Sequence, residues 1–289
     1  MSEVKGLIVA IPTPFDSKSA IDFDYVAKHL DFISKRGANG AVPCGTNGEG
    51  SSMTMQERKD MYRVAVENKG DLAVVAGTGC PSLPETIELT KAAEKIGADA
   101  ALVVPPYFFK APTLDGLYNY YSAVLQSTDM PVFLYNIPSC SAIEIEDELV
   151  ERLLKFPNLI GVKDSAGDVE RTKRYIKKFP GLRIFYGADR ITEEMAGSGT
   201  YGSVSGVANA FPDLISETMR MCEMGQGSEM QARVTRLTYI YDKYPLFAAN
   251  KTTLKLRGFP YTHVRPPLID LTPEQEAALA EDLRGEGLI

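Results

Sequence analysis

Lys163 closes the apolar run Leu159-Ile160-Gly161-Val162 and is followed by Asp164 and Ser165. Burial at a strand end disfavours the charged form of an amine, and a neutral amine can attack a carbonyl carbon to form a Schiff base. The same residues also fit a lysine that pairs with Asp164 or faces solvent. A second run, Val132-Phe133-Leu134, leads into Tyr135-Asn136-Ile137-Pro138. A phenol both donates and accepts, so Tyr135 on a strand next to that of Lys163 can shuttle protons for an imine. The plainer reading is a core tyrosine whose hydroxyl meets a backbone group. A third segment, Cys44-Gly45-Thr46-Asn47-Gly48-Glu49-Gly50, carries three glycines that free the backbone to turn its N–H groups inward. With the side-chain donors of Thr46 and Asn47 it forms a nest for a small carboxylate, although a simple turn fits equally. It is no phosphate loop, because G-x-x-x-x-G-K-[ST] needs a lysine that is missing here.

These groups need a scaffold, and the chain supplies a repeating one. Short apolar runs rich in Val, Ile and Ala occur at 6–11, 40–44, 72–77, 100–104, 132–137, 160–163, 183–187 and 202–206, and segments of helical period separate them. Val26, Leu30 and Ile33 share one helical face, as do Leu89, Ala92, Ala93 and Ile96, and then Leu149, Val150, Leu153 and Leu154. Thr54 to Glu57 and Ser82 to Glu85 have the spacing of capping boxes that start helices. Continuous apolar strands imply a parallel sheet buried on both faces, and eight such units predict a closed (β/α)8 TIM barrel. A doubly wound open sheet is the competitor, but the first run leads into Pro12-Thr13-Pro14-Phe15 rather than a G-x-G-x-x-G turn. Beyond residue 222 the strands stop and a helical pattern continues, with Thr272 to Gln275 as a further capping box. The expected organisation is a barrel over 1–222 and a C-terminal helical region over 223–289.

Composition removes several function classes. The 289 residues carry 31 basic and 38 acidic side chains, a net charge of −7, which opposes nucleic acid and anionic membrane surfaces. Two histidines, His29 and His263, and four scattered cysteines offer no metal-ligand spacing, so no metal and no cofactor are expected. The stretch Met1-Ser2-Glu3-Val4-Lys5 lacks the apolar core of a signal peptide and no apolar run reaches membrane-spanning length, so a cytoplasmic location is expected.

Taken together, the segments resemble the dihydrodipicolinate synthase and N-acetylneuraminate lyase family, whose members hold pyruvate or a related 2-oxo acid as a Schiff base. Gly45-Thr46-Asn47-Gly48-Glu49 is similar to the family's G-[ST]-x-G-E loop, Tyr135-Asn136-Ile137-Pro138 to its Y-N-x-P, and Gly161-Val162-Lys163-Asp164 to its lysine strand. The likeness runs in order from Gly6 to Val207 and includes Pro106-Tyr107 and Tyr186-Gly187-Ala188-Asp189. It implies a (β/α)8 barrel, usually homotetrameric, with Lys163 as the Schiff base, Tyr135 as proton shuttle and Thr46, beside Gly45 and Asn47, at the substrate carboxylate. Gly187 and Val204 are carried over as further substrate-lining positions.

Departures from the pattern narrow the substrate. Dihydrodipicolinate synthases have an arginine two residues after the proline of Y-N-x-P to hold a second carboxylate, and this chain has Cys140. They also have a second threonine where Asn47 stands, and a tyrosine lent by a neighbouring subunit where Phe108, or the adjacent Tyr107, is the match. What remains resembles the family's 2-keto-3-deoxy sugar acid aldolases, with Ser165 and Asp189 placed to touch hydroxyls of the aldehyde half. Ser165 as a helix cap, and Asp189 paired with Arg190 or capping its own helix, are the plain alternatives. The expected activity joins or cleaves pyruvate and a small hydroxylated aldehyde. Alternatives are a 4-hydroxy-2-oxoglutarate aldolase, a keto-deoxy acid dehydratase, dihydrodipicolinate synthase itself and, outside enzymes, a barrel that binds a small acid.

Overall fold

A computed structural model describes residues 3–289; Met1 and Ser2 of the amino-terminal segment lie outside the described residues. Eight parallel strands close into a barrel in sequence order: β1 (Gly6–Val9), β2 (Gly40–Ala41), β3 (Ala73–Gly77), β4 (Ala100–Val103), β5 (Val132–Asn136), β6 (Leu159–Asp164), β7 (Arg183–Tyr186) and β8 (Gly202–Ser205), with β8 pairing back onto β1. The expected (β/α)8 fold is therefore the observed one. Around it lie α1 (Phe23–Ser34), α2 (Met55–Glu67), α3 (Leu83–Ile96), α4 (Leu114–Gln126), the short α5 (Pro138–Ser141), α6 (Asp147–Leu153), α7 (Val169–Lys178), the short α8 (Thr192–Met195) and α9 (Pro212–Glu223). Three helices follow, α10 (Ser228–Asp242), α11 (Leu246–Leu256) and α12 (Pro273–Gly285).

Local chemistry explains most boundaries. Thr54 accepts from the Glu57 N–H while Glu57 returns to the Thr54 N–H, and Thr272 with Gln275 does the same at α12. Ser82 provides only half of its expected box: it accepts from the Glu85 N–H at 3.5 Å, and no return bond forms across that long contact. The run at 40–44 yields a strand of just two residues, because Pro43 has no N–H to donate and Cys44 turns into the left-handed region at φ 56°. Leu149, Val150 and Leu153 face the core as expected, but Leu154 is exposed, since α6 ends at Leu153 and the next residue leaves the buried stripe.

Two apolar layers result. Alternate strand residues such as Val9, Val74, Val103 and Val162 pack outward against the helices. Their neighbours Ile8, Val42, Val75, Leu102, Phe133, Phe185 and Val204 fill the barrel interior, which is a packed core rather than a pore.

Candidate active site

Lys163 on β6 and Tyr135 on β5 are register partners, so both side chains point into the barrel. The Lys163 Nζ lies 3.9 Å from the centroid of the Tyr135 ring, and both residues are buried. Asp164, one residue on, points to the opposite face, where it accepts from Asn136 Nδ2 at 2.8 Å and from Thr172 Oγ1 of α7 at 3.0 Å. Strand alternation thus removes the Lys163–Asp164 pair, and among the described residues Lys163 makes no ion pair. The Tyr135 hydroxyl meets a side chain rather than the backbone: Thr46 Oγ1, at 3.3 Å.

Thr46 stands on the loop after β2, whose bends are fixed at Cys44 (φ 56°) and Glu49 (φ 51°). Thr13, from the Pro12-Thr13-Pro14-Phe15 turn, donates to the Gly48 carbonyl at 2.6 Å and supports the loop from below. Asn47 reaches across the barrel mouth to Gly206, where a Cβ would come within 2.2 Å of its Nδ2. A similar close approach occurs at Gly187: a Cβ there would lie 1.9 Å from Ser165 Oγ and 3.2 Å from Lys163 Cε. Any side chain at Gly187 would push both residues out of place. Ser165 does not cap α7, because Asp168 does so by accepting from the Arg171 N–H.

A cavity of about 340 Å³ opens at the carboxyl ends of the strands and is lined by Thr46, Asn47, Tyr135, Cys140, Lys163, Ser165, Gly187, Asp189 and Val204. Thr238 and Tyr241 of α10 and Phe247 and Asn250 of α11 form its outer wall. A second cavity of about 390 Å³ shares Thr46, Tyr135 and Cys140, includes Gly45, and runs out to Arg58 and Tyr107. All ten expected site residues therefore line one or both. Cys140, exposed on α5 at the join, bonds to no charged side chain among the described residues; its Sγ is 4.0 Å from Ser139 Oγ.

Two cations stand near the mouth and both are committed elsewhere; the sequence reading missed Arg58 and took Arg190 only as a partner for Asp189. Arg58 of α2, buried, donates to the Gly77 and Gly79 carbonyls at 2.6 and 3.3 Å and contacts Cys80 Sγ at 2.9 Å. Nothing in the sequence of α2 distinguishes it from a surface charge. Arg190 donates to Thr238 Oγ1 at 2.7 Å and pairs with Asp242, which also excludes the expected alternative of an Asp189–Arg190 pair.

Asp189 instead accepts from Ser205 Oγ at 2.9 Å. Burial pushes its carboxyl up to about 6, only partly opposed by the Ser205 bond. The ionised form is thus disfavoured in the fold relative to the open chain. Asp189 therefore lowers stability above pH about 6, and the loss is relieved as pH falls toward its ordinary value of 3.8. Urea unfolding at pH 4 and pH 7.5 should show the parent losing about 2–3 kcal/mol more than Asp189→Asn on going to the higher pH. A parallel pH dependence in the two proteins would show that Asp189 is not the buried titrating group.

The whole chain matches known proteins in keeping with this geometry. A model of the dihydrodipicolinate synthetase family matches residues 3–285. The chain belongs to that family. Among family members it is 35% identical to an uncharacterized DapA-like lyase of Chloroflexus aurantiacus over 290 residues, covering 96% of each chain. It is 33% identical to a 4-hydroxy-tetrahydrodipicolinate synthase of Pseudomonas aeruginosa, covering 99% of each. The crystal structure of YagE from E. coli K12, a dihydrodipicolinic acid synthase family protein in complex with pyruvate, superimposes with a TM-score of 0.94 at 26% identity, covering 99% of each chain. As a member of the dihydrodipicolinate synthetase family the chain is a class I carbon–carbon lyase on a (β/α)8 barrel. Among the described residues no helix is long and apolar enough to cross a membrane.

Proposed function

We propose that the protein is a Schiff base aldolase that cleaves or forms the bond between pyruvate and a small hydroxylated aldehyde, as a 2-keto-3-deoxy sugar acid aldolase does. The observation that carries this reading is the group of three at the strand ends: Lys163 over the Tyr135 ring, and the Tyr135 hydroxyl against Thr46 Oγ1. Lys163 attacks the 2-oxo carbon and water leaves, which gives a protonated imine. In the cleavage direction the C3–C4 electron pair moves into that imine and leaves an enamine, while the C4 hydroxyl gives up its proton through Tyr135 and departs as the aldehyde. Gly45, Thr46 and Asn47 hold the carboxylate, and this fixed orientation removes much of the entropic barrier. Ser165 and Asp189 line the same cavity and are the partners for hydroxyls of the aldehyde half. The exposed rings of Phe108 and Phe109, 71% and 68% accessible and in edge contact with each other, support assembly into a homo-oligomer, for which a homotetramer is the expected form.

A second reading, condensation of pyruvate with aspartate semialdehyde, is favoured by the names of relatives such as the Pseudomonas aeruginosa synthase. Cys140 argues against it. A thiol cannot supply the charged, two-pronged donor that a second carboxylate finds in arginine, and Arg58 and Arg190 are already bonded to other groups. One lost charged hydrogen bond is worth about 1.5–3 kcal/mol, or roughly ten- to a hundredfold in specificity. Assayed side by side with pyruvate, glyceraldehyde should give the higher kcat/KM, and Cys140→Arg should narrow the gap. A parent enzyme that prefers aspartate semialdehyde would overturn the sugar acid reading while leaving the Schiff base chemistry in place.

A further inference from the structure

Glu49 ends the Gly45-Thr46-Asn47-Gly48-Glu49 segment and belongs to the lining of the cavity that runs out to Arg58 and Tyr107, yet its carboxylate is buried and bonded within the protein. Its Oε1 accepts from Lys251 Nζ of α11 at 2.5 Å, and both side chains are 1% exposed. Its Oε2 accepts from the Arg265 backbone N–H at 2.9 Å. Lys251 also donates to the His263 carbonyl at 2.5 Å, so one ammonium joins the loop after β2 to the segment between α11 and α12. Arg265 in turn makes two bonds to Glu57, at 2.7 and 2.9 Å, while its guanidinium lies 4.1 Å over the Phe15 ring. On the loop itself, Glu49 N–H donates to the Thr46 carbonyl at 3.0 Å. Any displacement of Glu49 is therefore passed directly to Thr46, whose hydroxyl touches Tyr135.

We infer that Lys251 and Glu49 are positioning residues, a buried latch through which the C-terminal helices set the place of Thr46 at the substrate carboxylate. The inference rests on the Schiff base reading of the site. A buried ion pair seldom adds net stability, because desolvation of the two charges offsets their attraction, so stability alone gives little account of this one. What it does supply is direction. The ammonium is fixed by two acceptors on different segments, and the carboxylate by two donors from beyond the barrel. Neither group reaches the reacting atoms.

The test is trapping with pyruvate and cyanoborohydride, read by mass spectrometry as the rate of covalent labelling against pyruvate concentration. Lys251→Met leaves Glu49 buried and unpaired, so it lowers thermal stability as well as loosening the loop. In the double variant Glu49→Gln/Lys251→Met no lone charge remains, and the melting temperature should return toward that of the parent. The expected result is that half-saturating pyruvate stays raised by about tenfold or more in the double variant, with the limiting labelling rate changed little, because binding geometry is lost while the amine is intact. Lys251→Arg, which keeps the charge, should recover part of the loss. A double variant that folds and saturates at the parent's pyruvate concentration would overturn the latch, as the pair would then serve stability alone. Failure of Lys251→Met to fold leaves the double variant to decide the matter. A parent protein that pyruvate does not label at all overturns the lyase reading, and the latch with it.

Discussion

Replacing Lys163 with Arg should abolish turnover, by about 10⁴-fold or more, while leaving the barrel folded. Arginine keeps the positive charge and much of the length, but its guanidinium stays protonated and offers no free amine to a carbonyl. The environment at Lys163 makes the expectation specific. Its side chain is buried, it lies over the Tyr135 ring, and among the described residues it makes no ion pair, since Asp164 is occupied on the other face of β6. Gly187 leaves only enough room for the lysine and Ser165, so the larger head group should also disturb that contact. Steady-state assay of the purified variant with the best aldehyde would check this, with circular dichroism as the control for folding. Retention of even one per cent of parental kcat would mean that another group activates the 2-oxo acid.

The second large effect belongs to the phenol. Tyr135→Phe keeps the ring under Lys163 Nζ and removes only the hydroxyl that meets Thr46 at 3.3 Å. Carbon–carbon cleavage should slow by roughly 10²- to 10⁴-fold, the range typical of general acid–base catalysis. Borohydride trapping should fall much less, because an imine can form with protons supplied by water, whereas departure of the aldehyde needs a base held at the C4 hydroxyl. Comparing single-turnover cleavage with the trapping rate separates the two steps. Equal turnover in variant and parent would assign the proton transfer to a different group.

The barrel could be read from the sequence because each strand is buried on both faces and so appears as an unbroken apolar run, while the capping boxes at Thr54 and Thr272 mark helix starts through side-chain chemistry. Lys163 and Tyr135 were legible for the same reason: a polar residue that ends such a run lies at the carboxyl end of a strand, and adjacent strands bring two of them together. Other features depend on distant partners and leave no local mark. Glu49 and Lys251 are 202 positions apart and meet only when α11 packs over the mouth. Arg58 reads as one of several charges on α2 until the turn after β3 closes around it. The short α5, which lifts Cys140 to the rim, is a single turn with too few residues for any periodicity to show. Strand β2 is shorter than its apolar run because the regular register ends at Ala41; beyond it Pro43 only accepts, from the Gly77 N–H, and Cys44 turns into the left-handed region.

One covalent bond decides whether Lys163 carries the chemistry. Incubation of the parent protein with pyruvate and borohydride, followed by proteolysis and mass mapping, should place a single reduced adduct on the peptide containing Lys163, formed by loss of water and addition of hydride at the former 2-oxo carbon. The label should need pyruvate and should disappear in Lys163→Arg. An adduct on any other lysine, or labelling that survives the substitution, would contradict the assignment of Lys163 as the residue that carries the chemistry.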